Sequence, residues 1–340
     1  MQCIDHEQDN DIYLIALNGL GNIYAINGEA QNEYLQRSID CYQEVLNACI
    51  ESKFVKTRVQ ALLNLGASFI ALPAGNHENN LCKAQNYLEE AISLCDSADY
   101  PNAKEDQGKA FSNLAGIFLD LKNGNRTSNL NRALFYGRSA LKAIGSDSSS
   151  RNGAQIRSNL GPILTELALL EKNPEYLVEA NQYLQEAIKT QVDLGGIGSR
   201  IKTFTNLSGV YRAQLLMHFG DPKENLENAI NFLVEALNQI NPDVYVIELA
   251  TTARNLGDLY FEWSNLLPNI WEKASAAYML AIDAREKVYK TEGVLGARQI
   301  ELKEIASLTR KGAYCLAKAN QLDKAVEILE LGRARGLASA

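Results

Sequence analysis

The side chains that most often do chemistry are few in this chain and lie far apart in the sequence. The three histidines, His6, His77 and His218, lie in the polar N-terminal sequence, in the loop PAGNHENN and before the turn in LLMHFGDP. A hydrolytic dyad or a zinc site needs histidine, cysteine or carboxylate groups that converge in space, and this spacing predicts no convergence. The sequence also lacks a Walker phosphate loop and the HExxH and GxSxG motifs. We therefore predict no active site, no metal and no cofactor in this chain.

The cysteines predict no chemistry either. No two of them form a CxxC pair, and they are Cys3, Cys41, Cys49, Cys82, Cys95 and Cys315. Free cysteine behaves as a small apolar residue, so we interpret these as reduced thiols of the core.

One polar residue type does recur at a regular interval. An asparagine directly precedes the leucine in five similar segments, and these residues are Asn64, Asn113, Asn159, Asn206 and Asn255. One helical turn earlier, on the same face, come Gln60, Lys109, Gln155, Lys202 and Thr251. Such an asparagine can bond to a neighbouring turn and hold the packing of repeated elements in register.

Two series of small and large residues recur along the sequence at a regular interval, and we call them ladders. They show which elements position the five asparagines, which we call the asparagine column. Segments such as LLNLGASF (62–69) and ARNLGDLY (253–260) place a small residue after a leucine, and these small residues are Gly21, Gly66, Ala115, Gly161, Ser208 and Gly257. They lie 45 to 49 positions apart. A second pattern follows each one, for example Ala84/Leu88/Ala91, with steps of 45 to 51. Steps of three and four residues put the members on one face of a helix, so each unit predicts a pair of packed helices, A then B.

Stacked pairs bury a continuous core that no single pair can bury alone, which predicts an α-solenoid. The pattern resembles the tetratricopeptide repeat (TPR), whose helix A has Leu-Gly-x-x-Tyr and whose helix B has Ala, a large residue and Ala. The resemblance implies an all-α, right-handed superhelical solenoid of about seven antiparallel helix pairs, with a period of about 45–51 residues instead of 34. After a polar tail at 1–10, the solenoid fills 11–340, and we predict the units 11–52, 53–98, 103–145, 152–193, 199–240, 243–290 and 298–340.

In TPR arrays the matching face of helix A lines the concave groove, where an asparagine often bonds the backbone of an extended peptide. By resemblance, the candidate partner-binding residues are Asn64, Asn113, Asn159, Asn206, Asn255, Lys109, Lys202 and Arg254. The cations would attract a partner's carboxylates. The purely structural alternative for the asparagines stays open.

The C-terminal segment LELGRARGLASA bears a narrower resemblance. It is similar to the end of the repeat region in proteins that continue into a CHAT domain, a caspase-like peptidase, on Glu330, Gly332–Arg335 and Leu337. The resemblance implies the partner-sensing, regulatory region of a longer peptidase with a missing C-terminal domain. Bacterial examples include CRISPR-associated TPR-CHAT peptidases, so the implied partners are a groove-bound protein or peptide, the peptidase domain itself or a ribonucleoprotein effector.

Three alternatives remain at this level. The first is a free-standing TPR scaffold or adaptor, and the second is a helical enzyme or ligand sensor, which would need converging ionisable residues. The third is nucleic-acid binding through a basic strip of Arg151, Arg157, Arg200, Lys202 and Arg212. A net charge of −8 repels phosphate backbones and makes direct nucleic-acid binding the weakest of these. The N-terminus is polar and acidic and no apolar run is long enough for a membrane span, so we expect a cytoplasmic protein.

Overall fold

The protein is described by a computed structural model that covers residues 6–28, 32–49, 54–72, 75–97, 100, 103–145, 150–194, 196–267, 269–291 and 295–338. These residues form fourteen α-helices and contain no strand, which confirms the predicted all-α fold. The helices are α1 His6–Gly28, α2 Asn32–Ala48, α3 Val55–Ala71, α4 His77–Cys95, α5 Lys104–Asp120, α6 Arg126–Ile144, α7 Arg151–Glu171, α8 Glu175–Leu194, α9 Ile197–Leu216, α10 Pro222–Gln239, α11 Val246–Glu262, α12 Ile270–Thr291, α13 Leu295–Lys318 and α14 Leu322–Ala338.

Odd-numbered helices are the A helices and even-numbered helices the B helices of seven successive pairs. The chain divides into two compact units, Met1–Asn159 and Leu160–Ala340, with α7 running across the boundary. In unit 1, α1 packs on α2, α3 on α4 and α5 on α6, and in unit 2 the same holds for α9 with α10, α11 with α12 and α13 with α14. Neighbouring A helices also touch, as α3 does with α1 and α5.

The two sequence ladders meet in four of the pairs, where a glycine of helix A faces a large residue of helix B. A Cβ atom on Gly66 would lie 2.8 Å from the Leu88 side chain, and one on Gly161 would lie 2.7 Å from Leu184. In the last pair the sizes are exchanged, since Gly332 of helix B faces Thr309 of helix A. This fit allows the two helix backbones to approach closely around a dry core.

Asparagine and aspartate side chains cap the N-termini of three B helices. The side chains of Asn76, Asn125 and Asp221 accept hydrogen bonds from the backbone N–H three residues later, at 2.8–3.0 Å, at the N-termini of α4, α6 and α10. Each bond satisfies one of the N–H groups that a helix N-terminus leaves free.

Two details differ from the sequence expectations. Helix α1 begins at His6, so residues 6–10 of the expected polar tail are helical. Helix α13 has 24 residues, although the Leu-Gly-x-x-Tyr pattern of helix A does not recur in this segment of the sequence. Packing of α13 on α12 and α14 stabilises it, because packing of one face supplies most helical stability in proteins.

Candidate partner-binding surface

Every predicted site residue lies on an A helix, where its side chain is exposed or half-buried. Unit 1 holds Asn64 on α3, Lys109 and Asn113 on α5 and Asn159 on α7. Unit 2 holds the other four, which are Lys202 and Asn206 on α9 and Arg254 and Asn255 on α11.

Unit 1 brings three of these residues together around a shallow depression between α3, α5 and the start of α7. It has a volume of about 190 Å³, and its walls include Asn64, Lys109 and Asn113. Leu63, Ala67 and Ile156 give it an apolar floor beside the polar groups. A surface of this kind can bury an apolar side chain while amide groups bond to polar atoms next to it.

Two members of the asparagine column bond to the preceding A helix. Asn64 Nδ2 donates to Asn22 Oδ1 at 2.9 Å and to Asn18 Oδ1 at 3.3 Å, so it links α3 to α1. Asn159 Nδ2 donates to Ser112 Oγ at 3.3 Å and links α7 to α5. These bonds hold the register of neighbouring A helices, as the structural interpretation of the column predicts.

Two other asparagines of the column make no such bond to a neighbouring helix in the described part of the chain. Among the residues that the structure describes, the side chains of Asn113 and Asn255 have no hydrogen-bond partner. Both are half-buried, so their amide groups keep contact with solvent and are able to donate to and accept from a partner.

Lys109 is held in place by two carboxylates of its own helix. Its Nζ lies 3.0 Å from Glu105 Oε1 and 3.3 Å from Asp106 Oδ1. Burial by itself lowers the pKa of Lys109, but the hydrogen bonds and charges of Glu105 and Asp106 outweigh it, so the pKa is raised and the ammonium group stays charged. The hydrogen bond from Lys109 likewise lowers the pKa of Glu105. Lys109 is therefore a positioned ammonium group beside the depression, and Glu105 and Asp106 neutralise its charge.

Two of the predicted cations of unit 2, Arg254 and Arg212, are engaged in ion pairs between A helices. Arg254 Nη1 lies 3.2 Å from Glu304 Oε2 of α13, and Arg212 makes two bonds, at 2.9 and 2.7 Å, to Glu262 of α11. Lys202 and Asn206 each have an interaction partner as well. The Arg212 pair reduces the positive charge that the predicted basic strip could offer to a phosphate backbone.

The partners of these residues were not predicted from the sequence, although their spacing in the sequence could have indicated them. The contacts between neighbouring A helices join residues about one repeat apart: 46 positions for Asn64 with Asn18, 47 for Asn159 with Ser112, and 50 for Arg212 with Glu262. A search for complementary polar residues one period apart could have found them. Ala67, which also lines the depression, has no such mark in the sequence.

A larger depression of unit 1 lies elsewhere, at the N-terminus of α5. It has a volume of about 760 Å³ and includes Lys104, Phe111, Lys142 and Arg151. We assign it no ligand.

Other kinds of site find no support in the described part of the chain. No group of three or more histidine, cysteine and acidic side chains there could hold a metal ion, and no helix there is both long and apolar enough to cross a membrane. Burial raises the pKa of the Cys95 and Cys315 thiols to about 12, as expected for core residues. Cys82 is exposed, contrary to the sequence interpretation, and Cys3 lies outside the described residues.

Comparison with known proteins defines the class of fold. No protein-family model matches the chain, and none of the curated proteins matches it. Among solved structures, the chain is similar to Pseudomonas aeruginosa PilF, with 19% identity over 82% of this chain and 93% of that one and a TM-score of 0.50. It is also similar to the apo form of RapI, with 13% identity over 93% and 97% of the two chains and a TM-score of 0.51.

These similarities and the helix pairs place the chain among TPR-like helical-repeat arrays. At such low identity they define the fold alone.

Proposed function

We propose that this protein is a non-catalytic interaction scaffold that binds a protein or peptide segment on the A-helix face of unit 1. The observation that supports it most directly is the depression beside Asn113, whose amide has no partner among the described residues, and Lys109, whose charge is held in position. An amide can bond both N–H and C=O groups of an extended backbone, and the ammonium group of Lys109, which has three N–H donors and two carboxylate partners, can donate to a carbonyl oxygen of the partner.

The test is a pull-down from native lysate with the wild-type chain and the variants Asn113→Ala and Asn131→Ala. Asn131 is an exposed asparagine of the B helix α6 in the same pair, so it controls for loss of a surface amide. We expect one partner to be retained by the wild type and by Asn131→Ala and to be lost from Asn113→Ala. Equal retention by all three chains would place binding on another surface.

A narrower proposal is that this scaffold is the partner-sensing region of a CHAT-type, caspase-like peptidase, including the CRISPR-associated kind, and acts in the cytoplasm. It rests on the segment Glu330–Leu337 and on the polar N-terminal sequence. Within the fold, Arg335 of this segment makes two bonds of 2.8 Å to Glu286 of α12, and Gly332 packs on Thr309, so these two residues also have a packing role.

The native gene tests this narrower proposal against a free-standing scaffold. A reading frame that continues past Ala340 into α/β sequence with a histidine and a cysteine supports the peptidase, and a stop codon at that point contradicts it.

A further inference from the structure

Helix α1 has apolar residues on two opposite sides. Leu14 and Gly21 face α2 and are buried. Four isoleucines on the other side are 66%, 65%, 57% and 74% exposed, and they are Ile12, Ile15, Ile23 and Ile26. A helix that is apolar all round is normally covered on both sides, so this isoleucine face is typical of a contact surface.

The isoleucine face is free of charge. No charged residue occurs in the sequence between Asp11 and Glu29. Covering this face therefore buries no ionised group, and no like charges oppose each other when two such faces meet.

The spacing of the isoleucines is symmetric about Gly19. Ile15 and Ile23 lie four residues to either side of it, and Ile12 and Ile26 lie seven residues to either side. If two α1 helices pack antiparallel around a two-fold axis at Gly19, each isoleucine meets an isoleucine of the other copy. A Cβ atom on Gly19 would have no atom within 4 Å, so the missing side chain leaves room for a second backbone.

We propose that the isoleucine face of α1 binds the same face of a second copy of this chain in an antiparallel helix pair centred on Gly19. A two-fold interface requires a surface that is complementary to itself, and the symmetric spacing provides one. An apolar face of this kind covers on the order of 300–600 Å². This is less than the ~800 Å² per partner of a stable interface, so the dimer is weak and forms in proportion to protein concentration.

Sedimentation equilibrium over a range of concentrations tests the surface. We expect a reversible monomer–dimer equilibrium for the wild type and a monomer for Ile15→Glu, which places two charges near the two-fold axis. The matched control is Phe135→Glu on α6, because Phe135 is also 65% exposed, and it retains the wild-type dimer. A wild type that is monomeric throughout, or a Phe135→Glu variant that also loses the dimer, overturns the proposal.

Disulfide cross-linking tests the antiparallel geometry, in a background with Cys3, Cys41 and Cys82 changed to serine. Gly19→Cys faces itself across the axis and forms a linked dimer on oxidation, since a disulfide needs Cα atoms within about 7 Å. Ile12→Cys alone does not link, but a mixture of Ile12→Cys with Ile26→Cys does. Equal linking of Ile12→Cys with itself indicates parallel helices and contradicts the proposal.

Sedimentation would also reveal a different binding partner for the isoleucine face of α1. Helix α14 exposes an apolar row of its own, Leu322, Val326 and Leu329. If the α1 face bound that row on another copy, the contact would be head-to-tail, and assembly would continue beyond a dimer into an open chain or a closed ring. Growth beyond dimers that Val326→Glu abolishes would overturn the symmetric interface.

Discussion

At the scale of single residues, the asparagine column combines two roles that substitution can separate. Asn64 bonds to Asn18 and Asn22, whereas Asn113 has no partner among the described residues. We predict that Asn64→Ala lowers the free energy of unfolding by about 1 kcal/mol, the usual net value of a hydrogen bond, and that Asn113→Ala leaves it unchanged. Urea unfolding followed by far-UV circular dichroism measures both. If Asn113→Ala destabilises as much as Asn64→Ala, the two positions are equally structural.

Substitution of glycine by alanine is expected to destabilise the protein at a position of the small-residue ladder and to stabilise it at a position outside it. A Cβ atom on Gly66 would collide with buried Leu88, whereas one on Gly116 of α5 meets nothing within 4 Å. We expect Gly66→Ala to destabilise by about 1–3 kcal/mol through overpacking.

Gly116→Ala is the matched control within unit 1. We expect it to stabilise by up to about 1 kcal/mol, because alanine is the better helix former. Thermal unfolding of both variants checks the pair, and a Gly66→Ala protein as stable as the wild type would show that the helices do not need this close approach.

At the scale of helices, ion pairs differ in strength according to their burial. Arg285 of α12 lies 3.0 and 3.2 Å from the two oxygens of Glu301 on α13, with side chains only 13% and 12% exposed. Arg254 and Glu304 form a similar pair between α11 and α13 but are 36% and 37% exposed. We predict that Arg285→Met lowers the free energy of unfolding by about 3–5 kcal/mol, since it removes one partner of a buried pair.

Arg254→Met is the control for this prediction and should cost about 0–1 kcal/mol, as exposed pairs do. Fluorescence-detected urea unfolding suits both variants, because the two tryptophans, Trp263 and Trp271, both lie in unit 2, close to these helices. If both variants lose the same free energy of unfolding, burial does not determine the strength of these two ion pairs.

The helices and their pairing could be predicted from the sequence, because a glycine opposite a large residue recurs in four of the pairs. In the last pair the sizes are exchanged between Thr309 and Gly332, so the pattern that identifies helix A in those pairs is absent there. The ion pairs were not predicted, because Glu262 and Glu304 belong to no motif and their role appears only when the next repeat is packed beside them.

At the scale of the whole molecule, charge argues against nucleic acid as a partner. The chain carries a net charge of −8, and Arg212 of the basic strip is already paired with Glu262. We predict no change in fluorescence anisotropy when labelled single- or double-stranded oligonucleotides are mixed with the protein at low salt. Binding that weakens steeply as salt increases would contradict this prediction and would indicate phosphate contacts.

The central claim, that the A-helix face of unit 1 holds a partner, is tested most directly by site-specific photo-cross-linking in native cells. A photoreactive amino acid replaces Ala67, an exposed residue that lines the depression, or Asn131 on the B helix α6. We expect one discrete protein adduct from position 67, lost when Asn113→Ala is added, and none from position 131. Adducts that form only from position 131, or that persist unchanged with Asn113→Ala, would contradict it.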